Sequence, residues 1–191
     1  MSSVLSAVLG LSFAAGLNTY ATILALGVLA RFDVLQLPSG LEIVESTPVM
    51  AAAAFMYIVE FFADKVPYVD SIWDVVHTAV RPAAGALLAY GAVGNVDPQW
   101  QMIAALAGGG VALTSHTAKA STRAAVNVSP EPFSNWALSV TEDVIAFGLV
   151  WLIGTHPYIA LGLVIALAAL AAFIIWKLSK FARRIFKRRA A

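Results

Sequence analysis

The chain has 191 residues, 60% of them hydrophobic and 12% charged, with a mean hydropathy of +0.82. Soluble domains usually carry roughly 25% charged residues, so this composition excludes an ordinary soluble fold and points to a membrane. The net charge of +1 hides an asymmetry: seven of the twelve basic residues (Lys177, Lys180, Arg183, Arg184, Lys187, Arg188 and Arg189) fall in the last fifteen positions, while the remainder carries five basic against eleven acidic residues. No cysteine is present, which excludes disulfides, thiolate metal sites and cysteine nucleophiles.

A crossing of the hydrocarbon core takes roughly 20 apolar residues, so the length predicts an all-α, polytopic transmembrane helix bundle of about six spans. One membrane domain, 1–176, is followed by a basic tail, 177–191. Hydropathy and Pro/Gly punctuation place the spans near 4–30, 48–63, 78–95, 101–123, 136–154 and 157–177. The first thirty residues hold no charged side chain, so they lack the basic start of a cleaved signal peptide and read as a retained first span. Within it Asn18, Thr19 and Thr22 are predicted to serve interhelical hydrogen bonds; Asn18 is also a candidate site residue.

The connection after Arg31 ends in Glu45-Ser46-Thr47-Pro48, a helix start with a capping hydroxyl ahead of a first-turn proline. Glu60 follows the apolar run Val49–Val59, and Asp64 opens the first polar stretch, 64–81. There Asp70, Asp74, His77 and Arg81 recur at i, i+4, i+7 and i+11, one helical stripe about 60° wide. Two readings stand: a solvated amphipathic helix at the cytoplasmic surface, or a re-entrant segment. Three acidic or imidazole ligands on one helix face do not close a metal site, so no metal is expected.

On the fourth span His116, Lys119 and Arg123 share a face at i, i+3 and i+7. Placing Lys or Arg at mid-bilayer costs at least ~2.5–3.5 kcal/mol, so such groups face a wet cavity, a carboxylate or an anionic ligand, or else snorkel to the interface. Acidic partners are available in Glu60, Asp64, Glu142 and Asp143. The last two are adjacent and project about 100° apart, so only one can face a given partner. The glycines at 85, 91, 94 and 108–110 read as helix-packing positions; no phosphate loop occurs. Arg81-Pro82 lacks the companion elements of a lipid-phosphate phosphatase and no HExxH is present, so no catalytic residue and no cofactor is assigned.

A shift of 98 residues lays Gly10, Ala14, Asn18 and Thr19 over Gly108, Ala112, His116 and Thr117. That suggests two inverted three-helix repeats, 1–97 and 98–176. The basic tail, interleaved with Leu178, Phe181, Ile185 and Phe186, is predicted to be a cytoplasmic amphipathic helix on anionic phospholipid. By the positive-inside rule and six spans, both termini are cytoplasmic in an inner (plasma) membrane.

Three blocks carry a family resemblance: Gly16-Leu17-Asn18-Thr19-Tyr20; the run from Ala63 through Asp64, Pro67, Tyr68, Asp70, Trp73 and Asp74 to His77 and Arg81-Pro82; and Ser129-Pro130-Glu131-Pro132-Phe133-Ser134-Asn135 with Glu142-Asp143. Over nearly its whole length the chain resembles an uncharacterised bacterial membrane family, domain of unknown function 4126. The resemblance implies a bacterial inner-membrane protein and supplies no activity. The residues themselves suggest a small transporter or flippase for an anionic solute or lipid headgroup, with carboxylates for proton coupling. A channel and a non-catalytic accessory or scaffolding protein are the alternatives. Partners are the bilayer and the anionic ligand, with no nucleic acid; a homo-oligomer fits a wall of helices this thin.

Overall fold

The computed structural model describes residues 2–66, 68–128 and 132–189. Pro67, Ser129, Pro130 and Glu131 of the motifs above, and the side chains of Ile185, Phe186, Lys187, Arg188 and Arg189 in the tail, lie outside the described residues.

Among the described residues there are seven α-helices and no strand: α1 Ser2–Leu17, α2 Thr19–Arg31, α3 Thr47–Ala63, α4 Val69–Ala92, α5 Pro98–Val126, α6 Pro132–Thr155 and α7 Pro157–Arg189, with a 3₁₀ turn at Glu42–Glu45 before α3. Proline sets the start of α5, where its missing N–H is no loss; Asp97 caps that helix by accepting from Gln99 N–H at 2.8 Å. At α3 the expected capping hydroxyl is corrected, because Ser46 Oγ bonds back to the Ile43 carbonyl and makes no cap bond. Two stretches, Phe133–Thr155 in α6 and Pro157–Phe181 in α7, are long and apolar enough to cross a membrane.

The predicted single span 4–30 is corrected: it is a helical hairpin. Asn18 takes an extended conformation (φ −150°, ψ 102°) between α1 and α2, and the chain turns back on itself there. Ser3, Val4 and Ala7 of α1 therefore line the same cleft as Leu26 of α2 and residues 33–38 beyond it. Asn18 stabilises the turn by capping α2, its Oδ1 accepting from Ala21 N–H at 2.9 Å. Sequence pattern could not show the reversal, because both arms are predominantly apolar and no proline or glycine pair marks the bend.

From the hairpin onward the helices alternate in direction. Gly27 faces Val44 and Met50, while Tyr57 reaches Asp143 near the hairpin tip, so α3 runs antiparallel to α2. α4 returns, bringing Gly91 against Gly40 and Leu41; α5 lies antiparallel to it, with Thr78 beside His116 and Gly85 beside Gly108 and Ala112. α6 ends with Gly154 against Leu35, and α7 finishes beside the C-terminal end of α5. One end of the bundle thus holds the N-terminus and residues 33–41, and the other holds the basic end of α7. Among the described residues, the start of α1 and the end of α7 are at opposite ends of the bundle, where the sequence reading puts both termini on one side.

Helix α1 is the central element. Its face meets a seam of small residues where α4 crosses α5: a Cβ on Gly108 would lie 2.3 Å from the Ala89 Cβ and 2.6 Å from Ser12 Oγ, so only glycine permits this approach. Gly16 is equally tight against Ala112 and Ser115 of α5. Gly110, by contrast, meets nothing within 4 Å, so the glycine run is not uniformly a packing motif.

A buried charge cluster at the tip of the helical hairpin

The segment 64–81 is not a solvated surface helix. Its ionisable stripe forms the first half of α4 and is turned into the protein, with Asp70 and Arg81 at 0% and Asp74 and His77 at 2% exposure. The stripe spacing read from the sequence thus describes a real face, but one packed against α5 and α3 rather than water. All twelve site residues named from the sequence are buried; the contacts below join nine of them into a central branch, with Asn18 and Asp143 paired in a second branch beside it and His77 bonded apart from both.

The central branch contains three cations. Arg81 Nη2 donates to Glu60 Oε1 at 2.6 Å, and its Nη1 to Asp74 Oδ1 at 3.1 Å and to His116 Nδ1 at 2.8 Å. Lys119 Nζ donates to Asp64 Oδ2 at 2.8 Å, lies 3.2 Å from Glu142 Oε2 and 3.4 Å from Glu60 Oε1, and also donates to the Leu17 carbonyl at 3.0 Å. Arg123 Nη2 donates to Glu142 Oε2 at 2.5 Å and to Asp64 Oδ2 at 3.0 Å, while its Nη1 donates to the Asp64 carbonyl at 2.8 Å and lies 3.7 Å from Asp70 Oδ2. Arg123 thereby ties α5 to the end of α3 and to α6.

The network fixes the imidazole protons. A guanidinium only donates, so His116 Nδ1 accepts from Arg81, and the ring, neutral, carries its hydrogen on Nε2. That hydrogen points to Thr78 Oγ1 at 3.0 Å, and the threonine hydroxyl passes its own to the Asp74 carbonyl at 2.9 Å. His77 Nδ1 faces the Trp73 carbonyl at 2.8 Å, an acceptor, so Nδ1 holds the hydrogen and Nε2 accepts from Tyr20 at 3.1 Å. His77 also stacks on Trp73, with ring centroids 4.6 Å apart. His77 is thus an aromatic–polar link between α2 and α4.

The hairpin tip is the second branch. Asn18 Nδ2 donates to Asp143 Oδ1 at 2.9 Å, and the Tyr57 hydroxyl donates to Asp143 Oδ2 at 3.3 Å. Glu142 and Asp143 therefore divide their work, one facing Lys119 and Arg123 and the other facing Asn18. Of the three polar residues, Asn18 bonds to α6 and the Thr19 hydroxyl bonds across the break to the Ala15 carbonyl of α1, while the Thr22 hydroxyl returns to the Asn18 carbonyl one turn back, which corrects the interhelical role expected of Thr22 alone.

Several contributors were not read from the sequence. Asn127 Nδ2 donates to Asp70 Oδ1 at 2.9 Å and Oδ2 at 3.1 Å, and Asn135 Nδ2 donates to Asn127 Oδ1 at 3.0 Å. Asn127 follows Arg123 by four residues on the same helical face, a signal that could have found it; Tyr20, Tyr57 and Thr78 carry no such signal. In the turn after α3, Lys65 Nζ lies over the Phe61 ring, 2.9 Å from its centroid, and donates to Ser139 Oγ at 3.2 Å. Burial pushes its ammonium below the ordinary lysine pKa.

Among the described residues no group of three or more His, Asp or Glu side chains is arranged to hold a metal ion. Charge, hydrogen bonds and a broken helix pair are the chemistry present. A family model described as Domain of unknown function (DUF4126) matches residues 5–177. The chain belongs to this family. No curated protein and no solved structure matches it. The matched stretch of this DUF4126 chain includes the hairpin and every residue of the charge cluster, and it stops at the start of the basic tail.

Proposed function

We propose that the protein is a small multi-pass membrane carrier for an anionic solute or lipid headgroup, coupled to protons. The observation that carries the reading is the meeting of the Asn18 break with buried Lys119, Arg123, Glu142 and Asp143. Broken helices that end at ionisable groups inside a membrane bundle are a device of secondary transporters, where the freed backbone dipoles face substrate or coupling ion. Here the α1 C-terminal carbonyl of Leu17 accepts from Lys119, and Asn18, which caps the N-terminus of α2, holds Asp143.

Charges this deep are costly and are retained in membranes chiefly for function. Every cation of the cluster is held by the protein's own carboxylates, so an incoming anion has to replace one. Protonation of a carboxylate within the cluster weakens the hold on these cations and frees one for a phosphate or carboxylate. Proton and anion then enter together, and the buried site gains no net charge.

On this reading α3 to α7 make five crossings and the α1–α2 hairpin is re-entrant. With the basic end of α7 cytoplasmic in an inner membrane, the N-terminus faces the opposite side. α3 and α6, and likewise α4 and α7, run in opposite directions, as an inverted repeat requires, while the hairpin answers uninterrupted α5. At the cytoplasmic end an apolar cleft of about 580 Å³ between α5 and α7 is rimmed by Lys177, Lys180 and Arg184, suited to an anionic phospholipid.

The scaffolding reading is favoured by one observation, that Arg81, Lys119 and Arg123 are each already paired. Proteoliposome flux across phosphorylated and carboxylated solutes, with proton uptake, separates the two. Flux that vanishes in Lys119→Gln and Glu142→Gln supports the carrier; no flux with folded protein supports the scaffold.

A further inference from the structure

Asp74 differs from the other carboxylates of the cluster. Its Oδ1 accepts from Arg81, but its Oδ2 is buried with no hydrogen-bond partner among the described residues. Leaving a buried charged oxygen unpaired costs ~1–3 kcal/mol or more. Asp74 is also among the residues around a cleft of about 330 Å³ between α4 and α5, with Ser71, Val75 and Thr78 on one side and Ala120, Ser121 and Ala124 on the other. Small side chains and three hydroxyls make a path wide and polar enough for water, which needs only a few such partners.

The charge count points the same way. Six buried carboxylates (Glu60, Asp64, Asp70, Asp74, Glu142 and Asp143) face three buried cations, Arg81, Lys119 and Arg123. Lys65 is bonded to the Phe61 carbonyl and Ser139 beside them. Excess negative charge in a low-dielectric interior is relieved by protonation. The carboxyl that takes the proton needs a free oxygen and a route to water. Glu60 Oε2 and Asp64 Oδ1 are also unpartnered, but neither residue lines this cleft.

We propose that Asp74 is the exchangeable-proton site of this protein, loaded on Oδ2 through the α4/α5 cleft. Water in the cleft delivers the proton and one O–H bond forms on the carboxylate; no other bond changes. The groups facing it are Arg81 and Asp70 on its own helix, His116, Lys119 and Arg123 on α5, and Glu60 and Asp64 on α3. Once Asp74 is neutral, Glu60 is the one anion left on Arg81 among the described residues, and the Arg81–His116–Thr78 chain is held by one carboxylate in place of two. The cleft lies between the first turns of α4 and the last turns of α5, in the half of the bundle that carries the basic part of α7, so protons arrive from that side. The purpose of the site rests on the carrier reading, while proton binding itself needs no substrate.

Infrared difference spectra of the full chain in lipid nanodiscs, titrated in pH, test this directly. The expected result is a protonated-carboxyl stretch that grows as pH falls in wild type and is lost in Asp74→Asn. Ala124→Leu, which fills the cleft and keeps Asp74, is expected to show the same stretch at the same pH but to reach it severalfold more slowly after a pH jump. An undiminished stretch in folded Asp74→Asn overturns the assignment, and an unslowed response in Ala124→Leu overturns the route. The Ala124→Leu arm stands even where Asp74→Asn does not fold. Proton binding that maps to Asp74 without flux of any solute counts against the carrier reading and supports the site.

Discussion

Lys119 Nζ donates to the carbonyl oxygen of Leu17 at 3.0 Å, and through this bond a cation on α5 closes the C-terminal end of α1. The last carbonyls of a helix lack partners within it and carry partial negative charge. Lys119 supplies both the donor and the opposite charge, at the residue before the chain reverses. Lys119→Gln is therefore expected to destabilise the fold by roughly 3–5 kcal/mol, since it removes the one cation common to Asp64, Glu60 and Glu142 and leaves Arg123 on two of them and Arg81 on the third. Denaturation in detergent micelles, followed by helical circular dichroism, reads the loss. A change under 1 kcal/mol would mean that water reaches the cluster and substitutes for the ammonium.

The pairing of Arg123 with Glu142 gives a second, sharper expectation. Arg123→Gln strands a buried carboxylate, while Arg123→Gln with Glu142→Gln removes both charges. The double variant should be more stable than the single one, by on the order of 1–3 kcal/mol, as neighbours in one network couple by that amount. Additive losses would show that the two groups do not sense each other.

Much of this cluster was legible in the chain. The i, i+4, i+7, i+11 stripe on α4 and the i, i+3, i+7 stripe on α5 are single-helix properties, and helical period alone puts each set on one face. What period cannot give is which faces meet, because that depends on helix directions and on close approaches such as Gly108 against Ala89. It also misses a reversal in predominantly apolar sequence. Asn18 reads equally as a polar residue inside one long helix and as the cap of a second, and only the return of Leu26 to the level of α1's first turns decides between them.

The glycine seam separates packing from mere flexibility. A Cβ on Gly108 meets the Ala89 side chain and the Gly85 carbonyl, the latter at 2.8 Å and on backbone that cannot swing away. Gly108→Ala should cost at least ~1–3 kcal/mol as overpacking. Gly110→Ala, in open space, should instead gain up to ~1 kcal/mol from helix propensity. Equal effects of the two substitutions on thermal midpoint would contradict the described crossing of α4 and α5.

Asn18 joins two roles, capping α2 and donating to Asp143. Asn18→Ala should cost about 0.5–2 kcal/mol for the cap and leave one Asp143 oxygen short of a donor. Asn18→Asp keeps a capping acceptor but sets a second carboxylate against the first. Its penalty relative to Asn18→Ala is present while both carboxylates are ionised and fades as acid protonates one of them, so the stability gap between the two variants narrows as pH falls. Urea titrations at several pH values measure it, and a gap independent of pH would remove Asp143 from the hairpin tip.

The hairpin itself makes the most decisive prediction, because it moves the N-terminus to the other side while leaving every later loop in place. The chain contains no cysteine, so single cysteines report position without background. Ser3 and Gln36 line one cleft at one end of the bundle, on either side of the hairpin, while Ser179 lies on the last part of α7, at the other end. In vesicles of fixed orientation, Ser3→Cys and Gln36→Cys should react with a membrane-impermeant thiol reagent from the same side, and Ser179→Cys from the opposite one. A single first span over 4–30 requires Ser3 and Gln36 to label from opposite faces, since the chain would have crossed between them. The two topologies thus differ in a yes-or-no result at one position, Ser3, that does not depend on knowing the transported solute. Labelling of Ser3 from the side of Ser179 would return α1 and α2 to one crossing and take the Asn18 break out of the proposed mechanism.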